Sequence, residues 1–264
     1  MLCGKNSGGS EPLTPLSNMS YQIDISLISG RRPELLKQTL ASFEKHLFQF
    51  FEIVSFRVNL DAFGGDEDEH ARCREIILEF YPEAKINEPN EPGFGKAVRY
   101  LWSTLEAPFT MHLEDDWIAH EDIKPEHVFP LFEGLTRQVT LLNEHKRRKG
   151  NALFDCKRTR SILSPFKTYD IRKPLFTTSP GFIDSSFARI CAQLMNPALD
   201  PEKQFYNGLN QELEHFSSIY RNRFLVGQKA PNVISDTGRD WRDDRKLEKS
   251  TIDGVSSWSN SKMT

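Results

Sequence analysis

The feature that most constrains the fold is a repeated exchange between two periodicities. "IDISLIS" (residues 23–29) is a short, mostly apolar run suited to a buried strand. "RPELLKQTLASFEKHLFQF" follows, with Leu35, Leu36, Leu40, Phe43 and Leu47 at helical spacing behind a proline suited to a first turn. The pattern then recurs: "FEIVSFRVNLD" reads as a strand, "AFGGDEDE" as a turn and helix start, and "HARCREIILEFYP" as a helix ended by Pro82. A short strand "AKINE", a loop "PNEPGFG" and a helix "KAVRYLWSTLE" make a third unit, leading into the strand "FTMHLED". Strands alternating with helices predict an α/β fold with a mostly parallel sheet and helices on both faces. With 264 residues and 38% hydrophobic content, one substantial core is expected, in a single domain of two halves.

That placement locates the stretch "FTMHLEDDWIAH" (109–120). Adjacent like charges resist burial, so Glu114, Asp115 and Asp116, directly after an apolar strand, must be solvated or neutralised by a cation. In open α/β sheets ligands bind beyond the carboxyl ends of the strands. The acidic trio ends the fourth strand, Ser29, Gly30 and Arg31 end the first, and Asp61 ends the second. Together they predict a polar crevice in which a divalent cation could hold a diphosphate. His112 alternates away from Leu113 within its strand and is expected to be structural. Asp66 to Glu69 are expected to start a helix and exploit its dipole.

Composition narrows the setting. A formal net charge of -3 gives no global pull toward nucleic acid or anionic lipid. No apolar run approaches the roughly 18 residues needed to cross a bilayer, and the first residues lack the apolar stretch of a secretory signal, so a cytoplasmic protein is expected. Cys3, Cys73, Cys156 and Cys191 are scattered without a CxxC pair, which suggests free thiols. Residues 1–19, rich in Gly, Ser, Pro and Asn, read as a disordered tail, and 248–264 as a flexible one.

From Tyr21 to about Leu247 the chain resembles nucleotide-sugar-dependent glycosyltransferases with the GT-A fold, particularly small bacterial and phage members related to family 2. "LEDDW" looks like that family's DXD motif in a Glu-Asp-Asp form. The resemblance implies that Asp116 contacts a Mn²⁺ or Mg²⁺ ion and that Glu114 and Asp115 contact the ribose or metal-bound waters, with Asp115 a further metal candidate. "VNLDAFGGDE" resembles the second-strand segment whose aspartate, here Asp61, faces the nucleobase. "NEPGFGKAVRYLW" resembles the Gly-rich segment before the metal strand, placing Gly95 and Lys96 or Arg99 near the nucleotide. "VISDTGRDWR" (233–242) resembles a late segment that returns to the diphosphate, where Asp236 or Arg239 would touch metal or phosphate. The resemblance implies two halves, 20–120 for the nucleotide sugar, a UDP-sugar foremost, and 121–247 for the acceptor. Trp241 is expected in the core rather than as a sugar platform.

In the second half, "TTSPGFIDSSFARICAQLMNPALDPEKQFYNG" looks like the acceptor-side strand and helix, followed by the helix start where many inverting members carry a catalytic acid. Asp200 can cap that helix and Pro201 fits its first position, which sets Glu202 on the first turn, where the helix dipole favours an anionic base. The family usually shows Glu-Asp here and this chain has Pro-Glu, so Glu212 and Glu214 in "NQELEHF" stand as alternates. From Lys146 to Arg160 there are seven basic residues and one acid. They suit the carboxyl end of a helix over "LFEGLTRQVTLLNEHKRRKG" (131–150) or an anionic acceptor. Resemblance to phage enzymes that glycosylate hydroxymethylated bases makes modified DNA a candidate acceptor through this run, beside glycan, lipid, protein and small-molecule hydroxyls.

Overall fold

The structure, a computed structural model, describes residues 21–145, 153–160 and 167–260. The first half follows the predicted alternation: β1 (Gln22–Ser29), α1 (Pro33–His46), β2 (Glu52–Leu60), α2 (Glu67–Phe80), β3 (Lys85–Asn87), α3 (Phe94–Ser103) and β4 (Phe109–Glu114). The second half holds β5 (Trp117–Ala119), α4 (Pro125–Val128), β6 (Thr136–Leu141), a hairpin of β7 (Cys156–Arg160) and β8 (Lys167–Pro174), β9 (Gly181–Asp184) and α5 (Ser185–Leu194). It ends with α6 (Gln211–Ser217), β10 (Arg221–Leu225), β11 (Ile234–Asp236), α7 (Gly238–Asp244) and a hairpin of β12 (Leu247–Ile252) and β13 (Val255–Asn260).

Seven strands form one sheet in the order β10-β6-β9-β4-β1-β2-β3, and only β9 runs against the others. A core lies on each face. Ile23, Ile25, Leu27, Met111 and Leu113 project to one side under Leu36, Leu40 and Phe43 of α1. Ile28 projects to the other, with Val98 and Trp102 of α3 and Phe187 and Cys191 of α5. This period-two division explains why a strand as apolar as β1 is buried along nearly its whole length. The acidic start of α2 is a capping box: Asp66 accepts the Glu69 amide (2.9 Å) and Glu69 accepts the Asp66 amide (3.1 Å).

Two expectations are corrected. The helix over 131–150 is absent from its described part, which instead forms the buried strand β6. Leu135, Val139 and Leu142 sit at helical spacing, but Thr136, Val139 and Thr140 are β-branched and the segment is covered on both faces, so tertiary burial decides. The last residues of that range, 146–150, lie outside the described residues. The described part of the flexible tail expected over 248–264 instead forms β12 and β13, joined at Asp253 and Gly254, whose φ values of 50° and 80° suit a tight hairpin turn, while 261–264, like the tail expected over 1–19, lie outside the described residues. The Asp200 amide donates to the Gly254 carbonyl (2.7 Å), which ties this hairpin to the turn that carries Glu202.

His112 is structural. It is fully buried, and the Trp102 indole N–H donates to its Nδ1 (3.2 Å), which leaves the imidazole proton on Nε2. Burial lowers its pKa to about 3. Above pH 6.5 both folded and unfolded chains hold a neutral His112. Below it the unfolded chain binds a proton that the folded chain refuses until about pH 3. Stability is therefore expected to fall with pH through that window, at no more than about 1.4 kcal/mol per pH unit from this residue. Urea unfolding at pH 7 and pH 5 checks this, and a His112→Leu chain should lose that part of the slope.

Candidate functional site

Three strand ends meet at one rim, and the acidic trio is divided among different tasks there. Asp115 is turned inward and fully buried. Its Oδ2 accepts the Ser29 hydroxyl (3.0 Å) and the Gly30 amide (2.8 Å), and its Oδ1 accepts from the Arg32 guanidinium. Ser29 and Gly30, read from the sequence as nucleotide contacts, thus hold Asp115. Asp115, expected from its motif position to meet metal or ribose, has no exposed surface. Asp116 accepts from the other arm of Arg32 (3.0 Å). Arg32 is thus the cation that neutralises two of the three adjacent acids, Asp115 and Asp116.

Arg32 immediately precedes α1, is 9% exposed, and lies 5.9 Å from the Phe63 ring and 5.3 Å from the Trp241 ring. Burial opposes its charge, but Asp115 and Asp116 outweigh burial and hold its pKa above the ordinary arginine value. Its neighbour Arg31, expected near the nucleotide, pairs with the exposed Glu67 (2.6 Å). Two consecutive arginines carry no local signal to separate them. Only the register of β1, with Ser29 inward, shows that Arg32 turns toward the acids.

The late segment closes on the same rim. β11 pairs antiparallel with β5, setting Asp236 opposite Trp117, and the Thr237 amide and hydroxyl both donate to the Asp116 carbonyl (2.8 and 2.9 Å). A side chain at Gly238 would collide with the Asp116 carboxylate, so glycine permits this approach. Arg242, missed in the sequence, reaches Asp116 Oδ2 (3.7 Å) and Asp236 Oδ2 (3.6 Å), and the largely exposed Arg239 lies 3.3 Å from Asp236. His145 Nε2 is 3.7 Å from the same Asp236 oxygen. Trp241 is half-buried and lies over Arg32 rather than in a core cluster. Two carboxylates sharing one cation have the donor chemistry that a hard divalent ion takes. Among the described residues, however, no three His, Cys, Asp or Glu side chains gather into a ready metal nest. A metal at Asp116 and Asp236 would replace Arg242 between them.

Asp61 ends β2 almost fully buried. Its Oδ2 accepts the Gly93 amide (2.9 Å), while its buried Oδ1 has no hydrogen-bond partner among the described residues. Burial raises the Asp61 pKa, against the Gly93 and Ala62 amides, which favour its charge. Gly95 lets α3 approach the other half: a Cβ there would lie 2.5 Å from the Leu199 carbonyl and 2.7 Å from that of Pro197. Lys96 is exposed beside Glu91 (3.8 Å). Arg99 instead donates to the Ala192 carbonyl (3.1 Å) and clamps α3 to α5. Glu114 is half-buried at the end of β4.

Of the candidate bases, Glu202 sits beside a short 3₁₀ turn (Lys203–Phe205) rather than an α-helix. Asp200 Oδ1 accepts the Glu202 and Lys203 amides (3.1 and 3.2 Å), and Glu202 Oε2 accepts the Thr177 hydroxyl (3.0 Å). Glu214 accepts the Gly208 amide (2.7 Å) and fastens a loop. Glu212 is exposed on the first turn of α6.

No protein-family model matches the sequence, and no curated protein matches it. Solved structures do resemble the fold. Over 85% of this chain, S. aureus TarS 1–349 in complex with UDP superposes with a TM-score of 0.50 at 12% identity. Over 81%, GalNAc-T7 with UDP, GalNAc and Mn²⁺ superposes with a TM-score of 0.52 at 14% identity. The chain spans 63% of the first and 43% of the second. The mostly parallel sheet flanked by helices is the GT-A glycosyltransferase fold.

Proposed function

We propose that this chain is a glycosyltransferase that moves a sugar from a nucleoside diphosphate sugar, a UDP-sugar foremost, to a hydroxyl acceptor. The observation that carries the reading is the gathering of Asp61, Asp116 and Asp236, with Arg239 and Arg242, beyond the carboxyl ends of the parallel strands β1, β2 and β4. A carboxylate at this rim, the role the resemblance gives Asp61, can accept the imide N–H of uracil. Gly93 and the Gly-rich turn fix that carboxylate, and Arg32 holds the acidic segment in place from below. Arg239 and Arg242 stand where a diphosphate would need positive charge.

Asp116 and Asp236 would hold Mn²⁺ or Mg²⁺ once Arg242 withdraws; such an ion, when bound, neutralises charge on the departing diphosphate. Glu202, oriented by Thr177, would take the acceptor hydroxyl proton.

The test is calorimetric titration with UDP, GDP, CDP and ADP and their glucose conjugates. UDP is expected to bind tightest, and Asp61→Ala to weaken it by about tenfold or more, the value of a hydrogen bond to a charged group. Equal affinity for all four bases, or for wild type and variant, would overturn the assignment of Asp61. Product analysis separates this reading from a nucleotidyltransferase: the first releases nucleoside diphosphate, the second pyrophosphate.

A further inference from the structure

The β7–β8 hairpin lies beside the edge strand β10, to which Phe154 bridges at Arg223, and it walls a cavity of about 210 Å³. Three cations line it from two strands, Lys157 of β7 and Arg172 and Lys173 of β8, with Tyr206 on the opposite wall and Glu214 as the one acid. The Glu214 carboxylate is engaged with the Gly208 amide. Lys157 donates to the Asn207 side-chain oxygen (3.0 Å) and lies 5.4 Å from the Tyr206 ring, so its ammonium is held at the cavity rather than swept by solvent. The Tyr206 hydroxyl accepts from Lys203 (3.0 Å), which leaves its own proton to donate. Arg172 is paired with both oxygens of Asp170 (2.9 and 3.3 Å) and its side chain is largely exposed, so Lys157 and Lys173 are the cations that an anion in the cavity would join.

The cavity has a defined relation to the proposed chemistry. Tyr206 follows directly on the turn that begins at Glu202. Its phenol is held above its ordinary value chiefly by burial, opposed by Lys203 and reinforced by the charge of Glu202. The 3₁₀ turn that Glu202 precedes thus supplies Phe205 and Tyr206 to the cavity or its edge.

We infer that this cavity is an anion subsite that binds a phosphate ester carried by the acceptor and so directs a neighbouring acceptor hydroxyl toward Glu202. The role as acceptor subsite rests on the glycosyltransferase reading; the anion site itself does not. A phosphate in this cavity can come from a polyol phosphate or from a nucleic acid strand, and both offer the same oxygens to Lys157 and Lys173.

The experiment titrates the full chain, saturated with UDP to occupy the donor crevice, with glycerol 3-phosphate, the dinucleotide pTpT and glycerol. At least one phosphate ester should bind and glycerol should not. Lys157→Gln combined with Lys173→Gln should weaken that binding by at least about tenfold, as expected for losing two charge-assisted contacts, while UDP affinity and the thermal midpoint stay unchanged. Lys157→Arg should keep binding. Binding of glycerol 3-phosphate but not pTpT identifies a polyol phosphate, and the reverse a nucleotide strand. Absence of binding by either ester, or unchanged binding in the double variant, overturns the site. Failure of UDP to bind while the ester still binds in a lysine-dependent way would remove the donor reading and leave the anion site standing.

Discussion

Replacing Asp115 by alanine is expected to cost about 3–5 kcal/mol of folding stability, because it strands the Arg32 charge in a nearly dry site. The loss has several parts. Arg32 keeps only Asp116, while the Ser29 hydroxyl and the Gly30 amide lose their shared acceptor. Urea unfolding with intrinsic tryptophan fluorescence measures it. Asp116→Asn should behave differently: Arg32 retains Asp115, so the cost should stay near 1 kcal/mol, the ordinary value of one hydrogen bond. Transfer, by contrast, should drop at least about 100-fold, the usual cost of removing one electrostatic stabiliser of developing charge. Mn²⁺ titration followed by electron paramagnetic resonance should show weakened ion binding in the same variant. Near-normal transfer and ion binding by Asp116→Asn would sink the assignment of Asp116. Arg32→Met combined with Asp115→Leu should recover part of the lost stability, since replacing both members of a buried pair is far cheaper than removing one. It should recover no transfer if the pair positions Asp116.

These contrasts also mark where the sequence could be read and where it could not. The β-α alternation up to Glu114 was legible because each element buries a face with its own period, and those periods survive in the order of residues. β6 was not, since Leu135, Val139 and Leu142 satisfy a helix as well as a strand, and only the neighbours β9 and β10 settle the matter. The closing hairpin carried a readable signal in Asp253-Gly254, which the polar composition around it obscured. The site was legible as a set of strand ends, and less so as a set of roles. Asp115 and Asp116 are adjacent and chemically identical, yet one is enclosed beneath the rim and the other meets the late segment. Arg242 could not have been found by spacing, because only the β5–β11 pairing brings α7 to Asp116.

The candidate base makes the second strong prediction. Glu202 is held by Thr177 and by the Asp200 cap, and Asp200 is fastened to the closing hairpin through Gly254, so the carboxylate has a fixed place without being buried beyond use. If it accepts the acceptor hydroxyl proton, Glu202→Gln should lower turnover by about 10² to 10⁴, since the amide keeps the shape and the Thr177 contact but cannot take a proton. UDP affinity should be unchanged, so the loss falls on kcat rather than on donor binding. The alternates respond differently for stated reasons. Glu212→Gln alters an exposed side chain and should be silent, while Glu214→Gln weakens the Gly208 contact and should affect stability more than turnover. Turnover measured as UDP release in the presence of acceptor, with donor affinity taken from titration, separates the three. An active Glu202→Gln chain beside an inactive Glu212→Gln or Glu214→Gln chain would move the base onto α6 and leave Glu202 as a brace for Thr177.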